Sequence, residues 1–305
     1  MKPGHKTAYR EFCQSAAAIP LFHQPWWLDA VCGPENWQVA LVRNADTASA
    51  EGVLPYYTRS RYGVRMVTPP PLTPFLGPLI FPPEGLNLHK QRAFEERVVR
   101  ELLRQLPDVT VLRLKLNYDQ NNWLPFRWEG FRQTTRYSYR IQDLSDIDRV
   151  WSNFHPKLRN KINHATRHCH VQQLEDAEPV FRLYEQRFQR KGQAAPISWQ
   201  WLAGLDRVLV ERKSRAAFLC SDRNERPLAG AYIAWDQHSS YLLLTGFDEG
   251  EPIRGATALA VWSSMQFVAG LGLIYDFEGS MLSGVERFFR EFGGGVVCVS
   301  LSGEV

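Results

Sequence analysis

Two short segments in the C-terminal part of the sequence carry residue types that could perform a group transfer. The first is Arg254-Gly255-Ala256-Thr257, which follows the apolar strand Tyr241–Phe247 and its polar loop and opens a helix. The first-turn amides of a helix have no partner within the helix, and together with a guanidinium they can hold a phosphate group. The pattern therefore predicts a phosphate-binding turn, while an ordinary helix start with a solvated arginine is the alternative.

The second segment is an acidic turn after the strand Leu273–Phe277. Asp276 and Glu278 are two residues apart, so an extended chain places both carboxylates on one face. Two neighbouring carboxylates raise the pKa of one of them, which suits a base for an ammonium nucleophile. The competing interpretation is a cap for the helix that follows. Tyr241 and Ser280 are the candidate acids that would protonate a leaving group.

A third candidate site is the basic segment between Pro156 and Leu174, which contains no acidic residue. Apolar residues of the same helix face inward, so the cations project outward on several sides. They could contact an anionic ligand, a nucleic-acid backbone or an anionic membrane, whereas a solvated helix face is the bland alternative. The cations are Lys157, Arg159, Lys161 and Arg167.

Composition and spacing exclude several classes of protein. A net charge of +4 over 305 residues fits an anionic ligand but is far from a nucleic-acid-binding tail. The five cysteines are scattered without a C-x-x-C pair, which is typical of reduced thiols in the cytoplasm. His164 and His168 share a helix face, but their spacing fits no standard zinc pattern, so no metal is predicted. No apolar signal or window of roughly 20 apolar residues occurs, so we expect a cytoplasmic protein without a transmembrane segment.

The elements that would position these residues repeat an α/β pattern. In the first half, strands near Trp37–Arg43 and Gly52–Tyr62 precede a proline-rich segment, a helix over Asn87–Leu106 and a buried strand. In the second half, two strands lead into Tyr241–Phe247, the helix and the closing strand. This rhythm predicts a duplicated α/β (α+β) unit with a cleft at the junction, a common place for ligands.

Four segments taken together resemble the Fem-like branch of the GNAT acyltransferase superfamily. The segments are 126–139, 158–165, Gly255-Ala-Thr-Ala-Leu259 and 276–294, which contains the Asp-Phe-Glu-Gly-Ser turn and Phe-Phe-Arg-Glu-Phe-Gly-Gly. The resemblance implies tandem GNAT-like domains over 1–122 and 123–305, with mixed sheets flanked by helices and the donor site in the second domain. It also implies acyl-CoA, such as acetyl-CoA, as co-substrate and an amine acceptor, either a small molecule or part of the cell envelope.

The sequence departs from two patterns within this superfamily, so we consider three alternative functions. The segment Glu251-Pro-Ile-Arg-Gly-Ala256 keeps only one arginine and one glycine of the usual pyrophosphate loop, and no coiled-coil arm occurs. The first expectation is an N-acyltransferase that uses acyl-CoA and a carboxylate base. The second is a Fem-like peptidyltransferase that uses aminoacyl-tRNA, and the third is a non-catalytic binding protein with the same fold.

Overall fold

The computed structural model describes residues 4–16, 19–248, 250 and 253–303 of the chain, which divides into two compact units. Unit 1 comprises Met1–Arg136 together with Cys298–Val305, and unit 2 comprises Tyr137–Val297. Each unit contains a mixed sheet with helices against it. The predicted domain boundary at 122/123 is a separate assignment and stays a prediction, as does a cleft between the halves.

The first unit alternates strands and helices in the order that the sequence predicts. Its helices are α1 (His5–Ser15), a 3₁₀ turn (Leu21–His23), α2 (Pro25–Cys32), α3 (Leu88–Leu103) and α4 (Leu124–Trp128). Its strands are β1 (Trp37–Arg43), β2 (Ala50–Arg61), β3 (Val64–Val67), β4 (Leu79–Ile80) and β5 (Val111–Lys115). The proline-rich segment 68–78 contains neither helix nor strand, because proline removes the backbone donors that a ladder needs.

The sheet of unit 1 has the order β1-β2-β3-β5, and it is antiparallel except for the parallel pair of β3 and β5. Its core lies between the sheet and α3. Apolar positions two apart on the strands meet positions three and four apart on the helix, as these two periods require. The core includes Ala40, Val42, Leu54, Val98 and Leu102.

The second unit carries most of the described helices. Its helices are α5 (Ile147–Asn153), α6 (Pro156–Thr166), α7 (Glu178–Gln189), α8 (Trp199–Glu211), α9 (Ala256–Leu271) and α10 (Ser283–Arg290). Its strands are β7 (Cys169–Leu174), β8 (Arg215–Asp222), β9 (Pro227–Trp235), β10 (Ser239–Phe247) and β11 (Ile274–Asp276). The division between the units falls within two further strands, β6 (Arg132–Ile141) and β12 (Gly295–Gly303).

The sheet of unit 2 has the order β6-β11-β10-β9-β8-β7. Only β10 and β11 run parallel, and they are joined by the crossover helix α9. One face of the sheet packs against α5, α6 and α9 in a continuous core that includes Ile162, Ile233, Leu242, Met265 and Tyr275. Tyr275 is therefore a packing residue, as its position opposite Asp276 on the strand predicts.

Candidate functional site

The first feature of the site is the short pairing between β10 and β11. The two strands pair only from Ser239 with Ile274 to Tyr241 with Asp276. Strand β11 then ends, while β10 continues to Phe247. Among the strands that the structure describes, none pairs with the last six residues of β10 on that side, so this edge can accept further backbone hydrogen bonds.

A β-bulge distorts β10 at the point where its partner ends. Leu242 lies opposite Ile233 and Leu244 lies opposite Tyr232, so Leu243 is an additional residue outside the register. A bulge bends the strand and takes backbone groups out of the ladder. The geometry can therefore present a β10 amide toward the unpaired edge.

Asp276 is fully buried at the end of β11 and holds the following turn in place. Its Oδ1 accepts hydrogen bonds from the Ser138 hydroxyl at 2.9 Å and from the Glu278 amide at 2.8 Å. Its Oδ2 lies 3.4 Å from Nε of Arg140. These contacts identify Asp276 as the group that anchors the acidic turn.

Glu278 does not continue the strand, which corrects the expectation that it shares an extended face with Asp276. The strand ends at Asp276, and Glu278 has a φ of 61°, in the left-handed region that non-glycine residues rarely adopt. Gly279 also has a φ of 61°, and a Cβ there would overlap with the Tyr137 carbonyl. Backbone strain of this kind is concentrated at functional sites. The turn therefore directs the half-buried Glu278 side chain in a way that a strand could not.

Tyr241 lies beside this acidic turn because it is directly opposite Asp276 in the parallel register. It is 3% exposed, and its hydroxyl donates a hydrogen bond to Oδ2 of Asp236 at 3.1 Å. Burial raises the pKa of Tyr241 well above its ordinary value, and the negative charges of Asp236, Asp276 and Glu278 raise it further. The hydroxyl therefore stays protonated throughout the neutral range and is a weak acid.

The predicted phosphate-binding turn is the start of α9. Gly255 caps the helix with a φ of 104° and has no side chain with which to occupy the first-turn amides. A Cβ at this position would overlap with the carbonyl of Lys161, so close packing with α6 also requires glycine. Arg254 is exposed and Thr257 half-buried, whereas Ala256 is buried. The preceding Glu251 and Pro252 lie outside the described residues.

The basic segment lies mainly on α6, and its charges are only partly available. Leu158, Ile162 and Ala165 are buried, as predicted. Lys157 and Arg167 are exposed and Arg159 is half-buried, while Nζ of Lys161 forms an ion pair with Oε2 of Glu291 at 3.2 Å. The segment presents a cationic surface with one of its four charges already neutralised.

The described part of the chain contains neither a metal-binding cluster nor a helix suited to span a membrane. Within residues 4–16, 19–248, 250 and 253–303, no three histidine, cysteine or acidic side chains are arranged to hold a metal ion. The rings of His164 and His168 do lie 4.8 Å apart, but α6 ends at Thr166 between them. No helix in the same residues combines the length and the apolar character that crossing a bilayer requires.

Sequence reasoning missed three residues that complete the site, namely Ser138, Arg140 and Asp236. The strand Arg136–Ile141 was predictable, but its place next to β11 was not, because register between distant strands leaves no local signal. Asp236 precedes a tight turn, and its carboxylate also accepts hydrogen bonds from the amides of His238 and Ser239. Its reach to Tyr241 could not be read from the sequence.

Comparisons with known proteins identify the class of fold. The structure is similar to that of FemX, with a TM-score of 0.64 at 12% identity over 97% of this chain and 95% of that chain. It is also similar to a tandem GNAT protein from the clavulanic acid biosynthesis pathway, with a TM-score of 0.55 at 13% identity over 97% and 92% of the two chains. The predicted fold, a tandem GNAT-like α/β architecture, is therefore confirmed.

A match of sequence identifies the domain that carries the site. Residues 152–290 match the family described as acetyltransferase (GNAT) domain, so unit 2 contains a GNAT domain and the predicted resemblance is confirmed. A third similar structure is the C-terminal domain of a putative lysylphosphatidylglycerol synthetase from Agrobacterium fabrum, with a TM-score of 0.56 at 10% identity over 98% and 93% of the chains. No curated protein matches the sequence.

Proposed function

We propose that unit 2 transfers an acyl group from acyl-CoA to an amine. The observation that carries this proposal is the unpaired edge of β10 beside Glu278, where a bulged strand, a strained carboxylate and a helix N-terminus come from consecutive elements. An extended donor with its own amide groups can add to such an edge in the manner of a further strand.

The phosphate end of the donor would bind at the start of α9. The first-turn amides and the partial positive charge of the helix terminus attract an anion, and the exposed Arg254 adds a full charge. The donor would then extend along β10 toward the acidic turn.

The chemistry requires one proton acceptor and one site for negative charge. Glu278 takes a proton from the attacking ammonium, directly or through water, and the amine nitrogen bonds to the acyl carbon. A backbone amide of β10 at the bulge stabilises the oxyanion. When the carbon–sulfur bond breaks, the proton held by Glu278 passes to the thiolate and the nitrogen releases its remaining surplus proton to solvent, so an amide and a free thiol result. No covalent enzyme intermediate forms.

Asp276 and Tyr241 support this step in different ways. Asp276 is fully buried and bonds to the Glu278 amide, so it positions the turn. The raised pKa of Tyr241 makes its hydroxyl a poor source of protons, and its one O–H is donated to Asp236. In the proposal Tyr241 therefore holds Asp236 in place beside the acidic turn and does not serve as the acid.

The test is calorimetric titration of CoA and acetyl-CoA into wild type, Arg254→Ala and Arg207→Ala. Arg207 is an exposed arginine on α8, so its replacement by alanine removes the same charge elsewhere in unit 2. We expect micromolar binding that weakens by about tenfold in Arg254→Ala, the loss of one charge-assisted contact, and no change in Arg207→Ala. Wild type without binding up to millimolar CoA contradicts the proposal.

A second candidate is aminoacyl transfer from tRNA, which the cationic surface on and directly after α6 favours. Lys157, Arg159 and Arg167 could bind phosphates of an RNA backbone, and each phosphate contact makes affinity depend on salt. Binding of aminoacyl-tRNA that falls steeply with salt and with Lys157→Gln would support this candidate. Ligand binding without turnover of any amine would instead support a non-catalytic role. The acceptor class, a small-molecule or cell-envelope amine, follows from turnover with either donor.

A further inference from the structure

Unit 1 contains a cavity of about 500 Å³ that the proposed acyl transfer does not use. It lies on the α3 face of the sheet, beyond the C-terminal end of the helix. Gln38, Tyr56, Thr58 and Arg65 form its floor, and the segment from Arg104 to Pro107 forms one wall. Its volume is within the range of about 300–1,000 Å³ that is typical of small-molecule sites.

Strand register explains why these side chains meet. Gln38 lies opposite Tyr56, and Thr58, two residues further on β2, lies opposite Val67. Since side chains alternate across a strand, Gln38, Tyr56, Thr58 and Arg65 all belong to the face that carries the apolar core under α3. The face is apolar where the helix covers it and becomes polar where the helix ends.

Tyr56 contributes a hydroxyl group to the lining of the cavity. The residue is only 4% exposed, yet no described residue donates a hydrogen bond to its hydroxyl or accepts one from it. Burial raises the pKa of Tyr56, with the Arg65 charge acting in the opposite direction, so the group remains a neutral donor. A neutral hydroxyl that opens into a cavity can donate a hydrogen bond to an acceptor bound there.

The charges around the cavity have one sign. Arg65 and Arg104 line it, and neither forms an ion pair with any described carboxylate. No aspartate or glutamate belongs to the lining. The nearest acidic residue on α3, Glu101, forms an ion pair with Arg97 at 3.3 Å. The negative end of the α3 dipole opposes an anion here, but the full charge on Arg104 exceeds that partial charge.

We propose that this cavity binds a soluble phosphate monoester, with the phosphate held by Arg65 and Arg104 and by the hydroxyls of Tyr56 and Thr58. Two guanidinium groups, which only donate, and two hydroxyls, which can donate, match an anion with several acceptor oxygens. The apolar surfaces of Val39, Leu106 and Pro107 leave room for a non-polar or neutral organic part. This site is independent of the donor site in unit 2.

The test is calorimetric titration with inorganic phosphate and with glucose 6-phosphate, using glucose as the neutral control, at low salt and in a buffer without phosphate. Wild type should bind both anions saturably and glucose not at all. We expect Arg65→Gln and Arg104→Gln each to weaken binding by about tenfold, and Tyr56→Phe, which keeps the packing, by about threefold.

The matched control is Arg59→Gln. Arg59 is an exposed arginine on β2 that lies opposite Met66 and belongs to the other face of the sheet. Equal weakening of phosphate binding in Arg59→Gln would show a nonspecific effect of net charge and would overturn the site. Titration heats of wild type that do not saturate up to about 20 mM phosphate would also overturn it. Binding only to vesicles of phosphatidic acid would overturn the soluble ligand. Phosphate binding that survives Arg254→Ala separates this site from the proposed donor site.

Discussion

The two units begin their main helices in opposite ways. In unit 1, Asn87 caps α3, and its side chain accepts a hydrogen bond from the Lys90 amide at 2.9 Å. In unit 2, Gly255 precedes α9 and offers no such group. The first helix therefore occupies one of its own first-turn amides, whereas the second leaves its first-turn amides without a side-chain cap.

The segments that follow β11 and β5, the next strands after α9 and α3, also differ between the units. Strand β11 ends at Asp276 and is followed by Glu278 and Gly279, two consecutive residues in the left-handed region. After β5 comes a segment over 116–121 in which no residue has a positive φ. The same plan thus carries a strained carboxylate in one unit and an ordinary connection in the other. We infer that the transfer chemistry is confined to unit 2.

The largest expected effect is on turnover. Replacing Glu278 with glutamine keeps the shape of the turn and removes the base, so kcat for acyl transfer should fall by about 100-fold or more. Binding of acetyl-CoA, measured by calorimetry, should change by less than about twofold. The comparison variant is Asp119→Asn, an acidic residue after β5 in unit 1, which should leave kcat unchanged. Equal losses in both variants would end the distinction between the units.

The next effect concerns the glycines that precede the two helices. Gly255→Ala combines a φ of 104° with overlap against the Lys161 carbonyl, so it should lower the free energy of unfolding by about 3 kcal/mol. Gly85→Ala in unit 1 has a φ of 77° but open space around the added methyl, so about 1 kcal/mol is expected. Urea denaturation of both variants checks the difference. Similar losses would show that close packing at Gly255 contributes little.

An effect of similar size is expected on the pH dependence of stability, and it arises in unit 1. His23 in unit 1 is fully buried, and its Nε2 donates a hydrogen bond to the Gly77 carbonyl at 2.8 Å. Burial lowers its pKa to about 4. As pH falls, the histidine therefore becomes protonated in the unfolded chain before it does in the folded protein. Its contribution to the free energy of unfolding is fully present above about pH 6.5, and roughly 3 kcal/mol is lost as pH falls toward 4.

The measurement is the urea midpoint of wild type and His23→Gln at several pH values from 7 to 4. Glutamine can still donate to the Gly77 carbonyl, but it does not titrate. The variant should therefore show a shallower loss of stability over this range than wild type. Parallel curves would mean that His23 is protonated without cost in the folded protein.

The smallest effect tests the cap of unit 1. Asn87→Ala removes the hydrogen bond to the Lys90 amide and should lower the free energy of unfolding by about 1 kcal/mol. It should not create a CoA site, because α3 has no counterpart of the turn at Glu278. Thermal unfolding with and without CoA measures both quantities. New CoA binding in this variant would indicate that a side-chain cap alone distinguishes the two helices.

The sequence allowed most elements of this fold to be predicted, because local periodicity determines them. The helix predicted over Asn87–Leu106 is α3, and the strand predicted at Tyr241–Phe247 is β10. The helix α1 was missed, since His5–Ser15 has a polar sequence with only Tyr9 fully buried. Strand β12 was missed because a glycine run at its start reads as a break.

The candidate site was predictable in its residue types but not in its geometry. The Asp-Phe-Glu-Gly-Ser turn and the Arg-Gly-Ala-Thr turn stand out in the sequence. The left-handed φ of Glu278 could not be predicted, because alternation along a strand assumes that the strand continues. The contact between Asp276 and Ser138 joins residues 138 positions apart, which no local pattern can indicate.

The path of β12 has a consequence for the order in which the chain can fold during synthesis. Its residues Leu301–Gly303 pair with Arg113–Lys115 of β5, so the sheet that contains β5 is completed by a strand far along the chain. Strand β12 must therefore have left the ribosome before it can complete the sheet of unit 1. Until then an edge of β5 stays exposed, and edges of this kind are sites of aggregation.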